Sequence, residues 1–141
     1  MLVRLLYASH AANEFDADAL NLILKQSKRN NQEHGVTRLL CYSGNLFMQV
    51  LEDRHDAVNR IYNRIASNTR HSDVELLCYE EIDERRFAGW SMGQVDMARL
   101  NPALLLKYSE RATLDPYAVS GEVSMSLFEE LVATASVVGQ P

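Results

Sequence analysis

The fold is decided by the stretch VTRLLCYSGNLFMQVLE, residues 36–52. It contains two apolar runs, Val36–Tyr42 and Leu46–Glu52, which are joined by Ser43-Gly44-Asn45. A Gly-Asn pair between two such runs is typical of a tight turn, because glycine adopts the positive φ that hairpin turns require. The stretch therefore predicts an antiparallel β-hairpin.

The residues before the hairpin predict a strand followed by a helix. Apolar side chains alternate along Leu2–Ser9, as they do on a strand with one buried face. Asn13 or Asp16 supplies an N-cap for a helix that runs to about Gln32, and Gly35 is its stop signal. This half of the chain is thus predicted to contribute one strand and one helix.

The residues after the hairpin repeat this pattern and add a final strand. Asp53 or Asp56 is predicted to cap a second helix, whose apolar residues recur at helical spacing: Val58, Ile61, Tyr62 and Ile65. Val74–Ile82 and Trp90–Val95 predict two further strands. The order β-α-β-β-α-β-β predicts an α+β fold, a ferredoxin-like sheet with two helices on one face.

The last third of the chain predicts helices without further strands. Asn101-Pro102 begins one helix, which Asp115-Pro116 ends, and Glu122–Val137 predicts another. We expect these helices to pack on the other face of the sheet. Residues 1–96 then form the sheet with its two helices, and residues 97–141 form a C-terminal helical cap.

Two arginines are predicted to lie on the face that the C-terminal helices cover. Arg4 and Arg38 occupy alternate positions of their strands relative to the apolar residues assigned to the helix-covered face. This face is therefore expected to be the less uniformly apolar one.

Composition narrows the class of protein. The 141 residues are 47% hydrophobic and 23% charged, which is typical of one globular domain and excludes disordered, collagen-like and coiled-coil chains. The net charge of −5 and the absence of a basic tract disfavour nucleic-acid binding. No signal peptide or membrane-spanning run is present, so we expect a cytoplasmic protein. Cys41 and Cys78 form no CxxC pair, and the histidines show no metal-ligand spacing.

Polar side chains occur where the core should be. Tyr7 shares a strand face with Val3 and Leu5, and Gln49 shares one with Phe47 and Leu51. The core stripe of the first helix begins apolar and becomes polar, in the order Leu20, Leu24, Ser27 and Asn31. Because an unpartnered buried amide costs roughly 1–3 kcal/mol, such groups must bind one another or a ligand. Together, the phenol and the two amides favour a bound planar, polar heterocycle.

Other candidate residues carry less information by themselves. Four polar residues gather at the end of the second helix, where a solvated helix terminus is the simpler interpretation: Arg64, Asn68, Arg70 and His71. Trp90 and Met92 share one face of the predicted last strand, as ordinary core residues also would. Neither a nucleophile beside a base nor a phosphate-binding glycine loop is present, so an acyl- or phosphoryl-transfer enzyme is disfavoured.

With these residues in these positions, the chain resembles the BLUF family, the sensors of blue light using flavin adenine dinucleotide. The likeness covers about residues 2–95. It depends on six blocks in order: LLYAS (5–9), QSKRNN (26–31), GVT (35–37), FMQVLE (47–52), TRHSDVELL (69–77) and RRFAGWSM (85–92). Three positions depart from the family pattern. Arg38 and Asp53 stand where glycine is usual, and Asn68 stands where aspartate is frequent.

The resemblance implies a role for each candidate residue. Tyr7 is the electron and proton donor to the excited flavin, and Gln49 lies between it and the flavin N5/O4 edge. Asn31 bonds the polar edge of the ring, with Asn30 beside it. Ser27 lies close to the glutamine, and Trp90 and Met92 compete for the place next to it. The remaining implied cofactor contacts are Leu24, Arg64, Asn68, Arg70 and His71.

The implied function is a blue-light photoreceptor without enzymatic activity. Residues 1–96 would be its flavin-binding photosensor domain, and residues 97–141 would be its C-terminal helical cap or output extension. It would bind FAD non-covalently, with FMN or riboflavin also accepted, and signal to a protein partner in trans. A homo-oligomer is expected, and neither nucleic acid nor membrane is an expected partner. The alternative from another class is a flavin-free, ferredoxin-like interaction module whose interior polar groups satisfy one another.

Overall fold

The computed structural model describes residues 1–11, 35–67, 71–88, 90, 92–113, 115–134 and 138–140. The elements are, in chain order, β1 (Leu2–Ala11), β2 (Thr37–Ser43), β3 (Leu46–Arg54), α1 (His55–Ala66), β4 (His71–Ile82), β5 (Met92–Asp96), a 3-10 turn (Met97–Arg99), α2 (Pro102–Leu106), α3 (Gly121–Ala133) and β6 (Val138–Gln140). The helix predicted between Asn13 or Asp16 and Gln32 lies outside the described residues.

The strands form one sheet in the order β4-β1-β3-β2-β5-β6. All neighbouring pairs are antiparallel except β2 and β5, which are parallel. The first five strands confirm the predicted ferredoxin-like α+β fold. The sixth strand, which pairs with β5 at the edge of the sheet, was not predicted.

The predicted hairpin forms with a two-residue turn. Ser43 pairs with Leu46 across Gly44 and Asn45, and Gly44 has a φ of 58°. This turn fixes the register, so that Leu40 lies opposite Gln49 and Arg38 lies opposite Leu51. Residues that lie opposite each other share a face of the sheet. The turn therefore decides which β2 side chains accompany Gln49.

Two hydrophobic cores lie on opposite faces of the sheet. The first, which we call the α1 face, is built by residues of β1, β3 and α1 with Val36: Val3, Leu5, Tyr7, Val36, Leu51 and Val58. The second, the α3 face, contains the buried residues of the C-terminal helices with the alternate strand positions, among them Leu6, Met48, Val50, Phe87, Leu105 and Phe128. The prediction that the C-terminal helices cover the free face is confirmed.

An ion pair is buried on the α3 face. Arg4 Nε and Nη2 lie 2.9 and 2.8 Å from Glu52 Oε2, and neither residue exposes more than 3% of its side chain. The Glu52 carboxylate also accepts the backbone N–H groups of Arg86 and Phe87, at 2.9 and 2.8 Å. The charge of Glu52 is thus fully partnered, as a buried carboxylate requires. These bonds hold Arg86 and Phe87, which precede β5, against the end of β3.

The predicted start of α1 and start of β5 were wrong. Asp53 does not cap α1, because it is still paired in β3 and its carboxylate accepts a bond of 2.8 Å from Arg85. Asp56 lies inside the first turn, and Arg54 is the N-cap without a side-chain bond. Strand β5 begins at Met92, so Trp90 precedes it.

The C-terminal predictions also need correction. Helix α2 begins as predicted, with Asn101 as its side-chain N-cap, but it ends at Leu106 well before Asp115-Pro116. The next two side chains, those of Lys107 and Tyr108, bind the Glu130 carboxylate and turn the chain towards α3. Helix α3 ends at Ala133 instead of Val137, and β6 follows. In the part of the chain that the structure describes, no helix has the length and apolarity needed to cross a membrane.

Candidate functional site

The centre of the candidate site is a pair of buried polar side chains on the α1 face. Tyr7 of β1 lies directly opposite Gln49 of β3 in the antiparallel register. The Tyr7 hydroxyl donates to Gln49 Oε1 at 2.5 Å, and the two residues are 3% and 2% exposed. Tyr62 of α1 packs its ring edge-on against Tyr7, with centroids 5.9 Å apart. The predicted convergence of the phenol and one of the amides is therefore present.

Arg38 joins this pair, which corrects its predicted location. Its Nη2 donates to Gln49 Oε1 at 3.1 Å, so Arg38 lies on the α1 face and not on the face of Arg4. A guanidinium group has donors and no acceptor. The carboxamide atom that faces Arg38 must therefore be the oxygen, and the Tyr7 hydroxyl must be the donor in its bond to the same oxygen.

Burial sets the protonation of the centre. It raises the pKa of Tyr7 to about 12, although the nearby Arg38 charge acts in the opposite direction. Burial also lowers the pKa of Arg38, which its interaction with Tyr7 partly offsets. Neutral phenol is consequently the form of Tyr7 at physiological pH, and it retains the proton that a donor needs.

The same face continues towards the start of β4. Ser9 lies two residues beyond Tyr7 on β1, and its Oγ is 3.2 Å from Nδ1 of His71. Phe47 packs edge-on against the His71 ring, at 6.4 Å between centroids. Arg64, by contrast, is exposed in the last turn of α1. Of the residues predicted near the end of the second helix, the structure thus brings His71 into contact with the β1 and β3 side chains of the α1 face.

Trp90 lies on the other side of the sheet from Gln49. It is half-buried and packs against the core of the α3 face. Its carbonyl accepts the backbone N–H of Arg38 at 3.3 Å. Met92 is the first residue of β5. The predicted start of this strand at Trp90 is wrong, because β5 begins two residues later, and the side chain of Met92 lies outside what the structure describes.

Six of the predicted site residues lie outside the described residues: Leu24, Ser27, Asn30, Asn31, Asn68 and Arg70.

The donors of this centre suit a polar heterocycle with several acceptors. Among the described residues, the Nε–H of Arg38 is buried and has no hydrogen-bond partner. Gln49 Oε1 already accepts two bonds, which leaves its NH₂ group to donate elsewhere. The isoalloxazine ring of a flavin carries ring nitrogens and carbonyl oxygens that would accept such donors, so the residues present fit that cofactor. Within the described residues, no group of three or more histidine, cysteine or acidic side chains is placed to hold a metal.

The sequence prediction of this site did not include Ser9 and Arg38. Ser9 is two positions from Tyr7, so strand alternation alone places it on the same face. Arg38 was assigned to the wrong face, yet the two-residue turn at Gly44-Asn45 already implied that it shares a face with Leu51.

A comparison with protein-family models finds a match over most of the chain. The family model described as "Sensors of blue-light using FAD" matches residues 2–93.

Individual relatives agree with this family. The blue light- and temperature-regulated antirepressor BluF of Escherichia coli (strain K12) is 33% identical over 98 residues, which is 69% of this chain and 24% of the relative. The photoactivated adenylate cyclase subunit beta of Euglena longa is 33% identical over 92 residues, 64% of this chain and 11% of the relative. The matched region is thus a minor part of both relatives.

Among solved structures, the "BlsA photo-activated state" superposes with a TM-score of 0.85 at 30% identity. The match covers 100% of this chain and 99% of that one. The resemblance therefore extends over the C-terminal helices as well as the sheet.

Proposed function

Because this chain belongs to the BLUF family of blue-light sensors that use FAD, we propose that Tyr7 and Gln49 are the photochemical centre of a flavin photoreceptor. The observation that carries the proposal is the 2.5 Å bond between the Tyr7 hydroxyl and Gln49 Oε1, in a buried pair with donors left over for a ligand. The bound flavin supplies an acceptor that becomes strongly oxidising when it absorbs blue light.

The residues of the chain do the remaining work. Tyr7 releases an electron and the proton of its hydroxyl, and it later takes both back, so no net reaction on a substrate results. The Gln49 carboxamide has a donor on one side and an acceptor on the other, so a change in its orientation or tautomer alters the hydrogen bonds that it offers. A red-shifted absorption band is the expected sign of the rearranged network.

Cofactor binding is proposed to involve residues from several elements. Asn31 and Asn30 would bond the polar edge of the ring, and Ser27 would lie near Gln49. Leu24, Arg64, Asn68, Arg70 and His71 would contact the rest of the flavin. Of these, His71 has support from its position at the end of the α1 face, beside Ser9 and Phe47. FAD is the proposed cofactor, and FMN and riboflavin are proposed to be accepted as well.

The output is proposed to pass through the C-terminal residues 97–141 to a partner protein. Strand β5 lies between β2, which carries Arg38, and β6 near the end of the chain. Trp90 accepts a bond from the Arg38 backbone and packs against the core that α3 completes. A change at Gln49 would therefore reach the C-terminal segment through Arg38 and Trp90. Relatives with antirepressor and adenylate cyclase names support an effector output for the family.

Substitution of Gln49 tests the proposed centre. Gln49→Leu removes the switching amide but keeps an apolar side chain of similar size in the core. We expect the variant to bind FAD and to show no red shift under blue light. Gln94→Leu, a half-buried glutamine of β5, is the control and should shift normally. A normal shift in Gln49→Leu would refute the role of this residue.

A further inference from the structure

Arg38 contacts the Gln49 carboxamide from a position where a glycine would provide no side-chain donor. Its Nη2 lies 3.1 Å from Gln49 Oε1, beside the Tyr7 hydroxyl that binds the same oxygen. We propose that Arg38 is a positioning residue of the photocycle, which holds the Gln49 carboxamide oxygen towards Tyr7 in the dark and disfavours the turned-over amide in the light. This inference rests on the proposed function.

The guanidinium group of Arg38 distinguishes the two ends of a carboxamide. All of its polar atoms are donors, so it binds a carboxamide only through the oxygen. If the amide turned over, its NH₂ group would face Arg38, and two donors would oppose each other at hydrogen-bond distance. Arg38 therefore makes the two orientations of Gln49 unequal. A glycine at position 38 would impose no such preference.

The backbone of Arg38 is fixed by bonds to the segment that contains Trp90 and β5. Its backbone N–H donates to the Trp90 carbonyl, and the next residue, Leu39, pairs with Gly93 of β5. The side chain is half-buried, and its Nε is fully buried. The backbone bond and the buried Nε limit how far Arg38 can follow a rotating amide. The same residue touches both Gln49 and the segment that leads into β5.

Arg38 therefore speeds the return of the protein to its dark state. In the rearranged form, the donor–donor contact with Arg38 raises the free energy of the turned-over amide and speeds its return. A side chain with both a donor and an acceptor can bind either orientation and removes this bias. Since bonds to charged groups are among the stronger ones, we expect Arg38→Gln to slow dark recovery about tenfold.

The test compares variants by what they can donate and accept. Arg38→Lys keeps a donor-only cation, so its recovery after a blue-light pulse should stay within about threefold of the parent chain. Arg60→Leu removes an exposed cation from α1 and should recover like the parent. Equal recovery in the parent, Arg38→Lys and Arg38→Gln would overturn the proposal. A parent chain that shows no light-induced shift would instead refute the proposed function.

A second measurement needs neither light nor flavin. In the flavin-free protein, the side-chain NH₂ signals of Gln49 are identified in a ¹⁵N correlation spectrum by their loss in Gln49→Leu. Arg38→Gln should move these signals and Arg60→Leu should not, because the former alters the partner of the carboxamide. Unmoved Gln49 signals in Arg38→Gln would refute the contact even if the photocycle had changed for another reason.

Discussion

The Tyr7 hydroxyl lies 2.5 Å from Oε1 of Gln49, in a pair that the β1–β3 register places directly opposite each other. Both residues lie inside paired strands, so the geometry is set by the sheet itself. A proton donor and a reorientable amide are thereby held in contact by backbone pairing.

Alkaline pH should destabilise the folded protein through Tyr7. Its pKa is raised by burial to about 12, above the value of about 10 in the unfolded chain. Between these values the folded state binds more protons, so the free energy of unfolding falls as pH rises. At pH 11 this loss is about 1.4 kcal/mol and should be absent in Tyr7→Phe.

Denaturant titrations of the flavin-free protein at pH 9 and pH 11 measure this effect. Burial and the nearby carboxylates also raise the pKa of Tyr117 to about 12, but this residue is only partly buried and solvent screening makes its loss smaller, so Tyr117→Phe is the matched variant. An identical pH dependence in the parent chain and Tyr7→Phe would show that the Tyr7 phenol is not buried as described.

Removal of the Glu52 charge should destabilise the sheet strongly. Glu52 is fully buried and accepts bonds from Arg4 and from two backbone N–H groups. Glu52→Gln leaves Arg4 with the half-exposed Glu80, 2.7 Å from its Nη1, as its remaining counter-ion, so we expect a loss of about 3 kcal/mol, at the lower end of the range for broken buried pairs. Urea unfolding at pH 7 measures the change. Asp56→Asn, which removes an exposed charge that lies 3.9 Å from Arg60, should change stability by less than about 0.5 kcal/mol; equal effects would contradict the burial of Glu52.

A methyl group at Gly121 should displace α3 from β4. A Cβ atom at this position would overlap the backbone carbonyl of Leu77, which cannot move aside as a side chain does. Gly121→Ala is expected to cost about 1–3 kcal/mol, in the range of overpacked sites. Thermal unfolding measures the change, with Glu122→Ala at the next, exposed position as the control. An unchanged midpoint in Gly121→Ala would contradict this close approach.

Light should alter the C-terminal segment more than α1. Strand β5 separates β2 from β6, and the core of the α3 face connects Trp90 to α3. Hydrogen exchange in the dark and under blue light should therefore show a difference in residues 97–138 and little in residues 55–66. Identical protection of residues 97–138 in both states would count against this segment as the transmitter.

The elements with local signals were predictable from the sequence. The turn residues Gly44-Asn45 and the alternation on either side determined the hairpin, and the spacing of Val58, Ile61 and Ile65 determined α1. Strand β6 has no such signal. Residues 138–140 form a strand because they pair with the free edge of β5. Local sequence patterns do not reveal a pairing between two segments so far apart in the chain.

The candidate site was predictable where strand alternation sufficed. Tyr7 and Gln49 each follow from the apolar residues beside them on one strand. The place of Arg38 depended on the pairing of two strands, and a shift of one residue moves a side chain to the opposite face. Asp53 does not cap α1 because its carboxylate pairs with Arg85, which is 32 residues away in the sequence. A contact at that distance leaves no local sequence signal.

The most direct test of the central claim is a light-minus-dark absorption spectrum of the purified protein reconstituted with FAD. The account predicts a reversible red shift of the flavin band in the parent chain. Tyr62→Phe, which keeps the aromatic contact with Tyr7, should show the same shift. Tyr7→Phe should bind FAD and show no shift, because the electron and proton donor is gone. A normal shift in Tyr7→Phe, or a flavin-bound parent chain without any shift, would contradict the account.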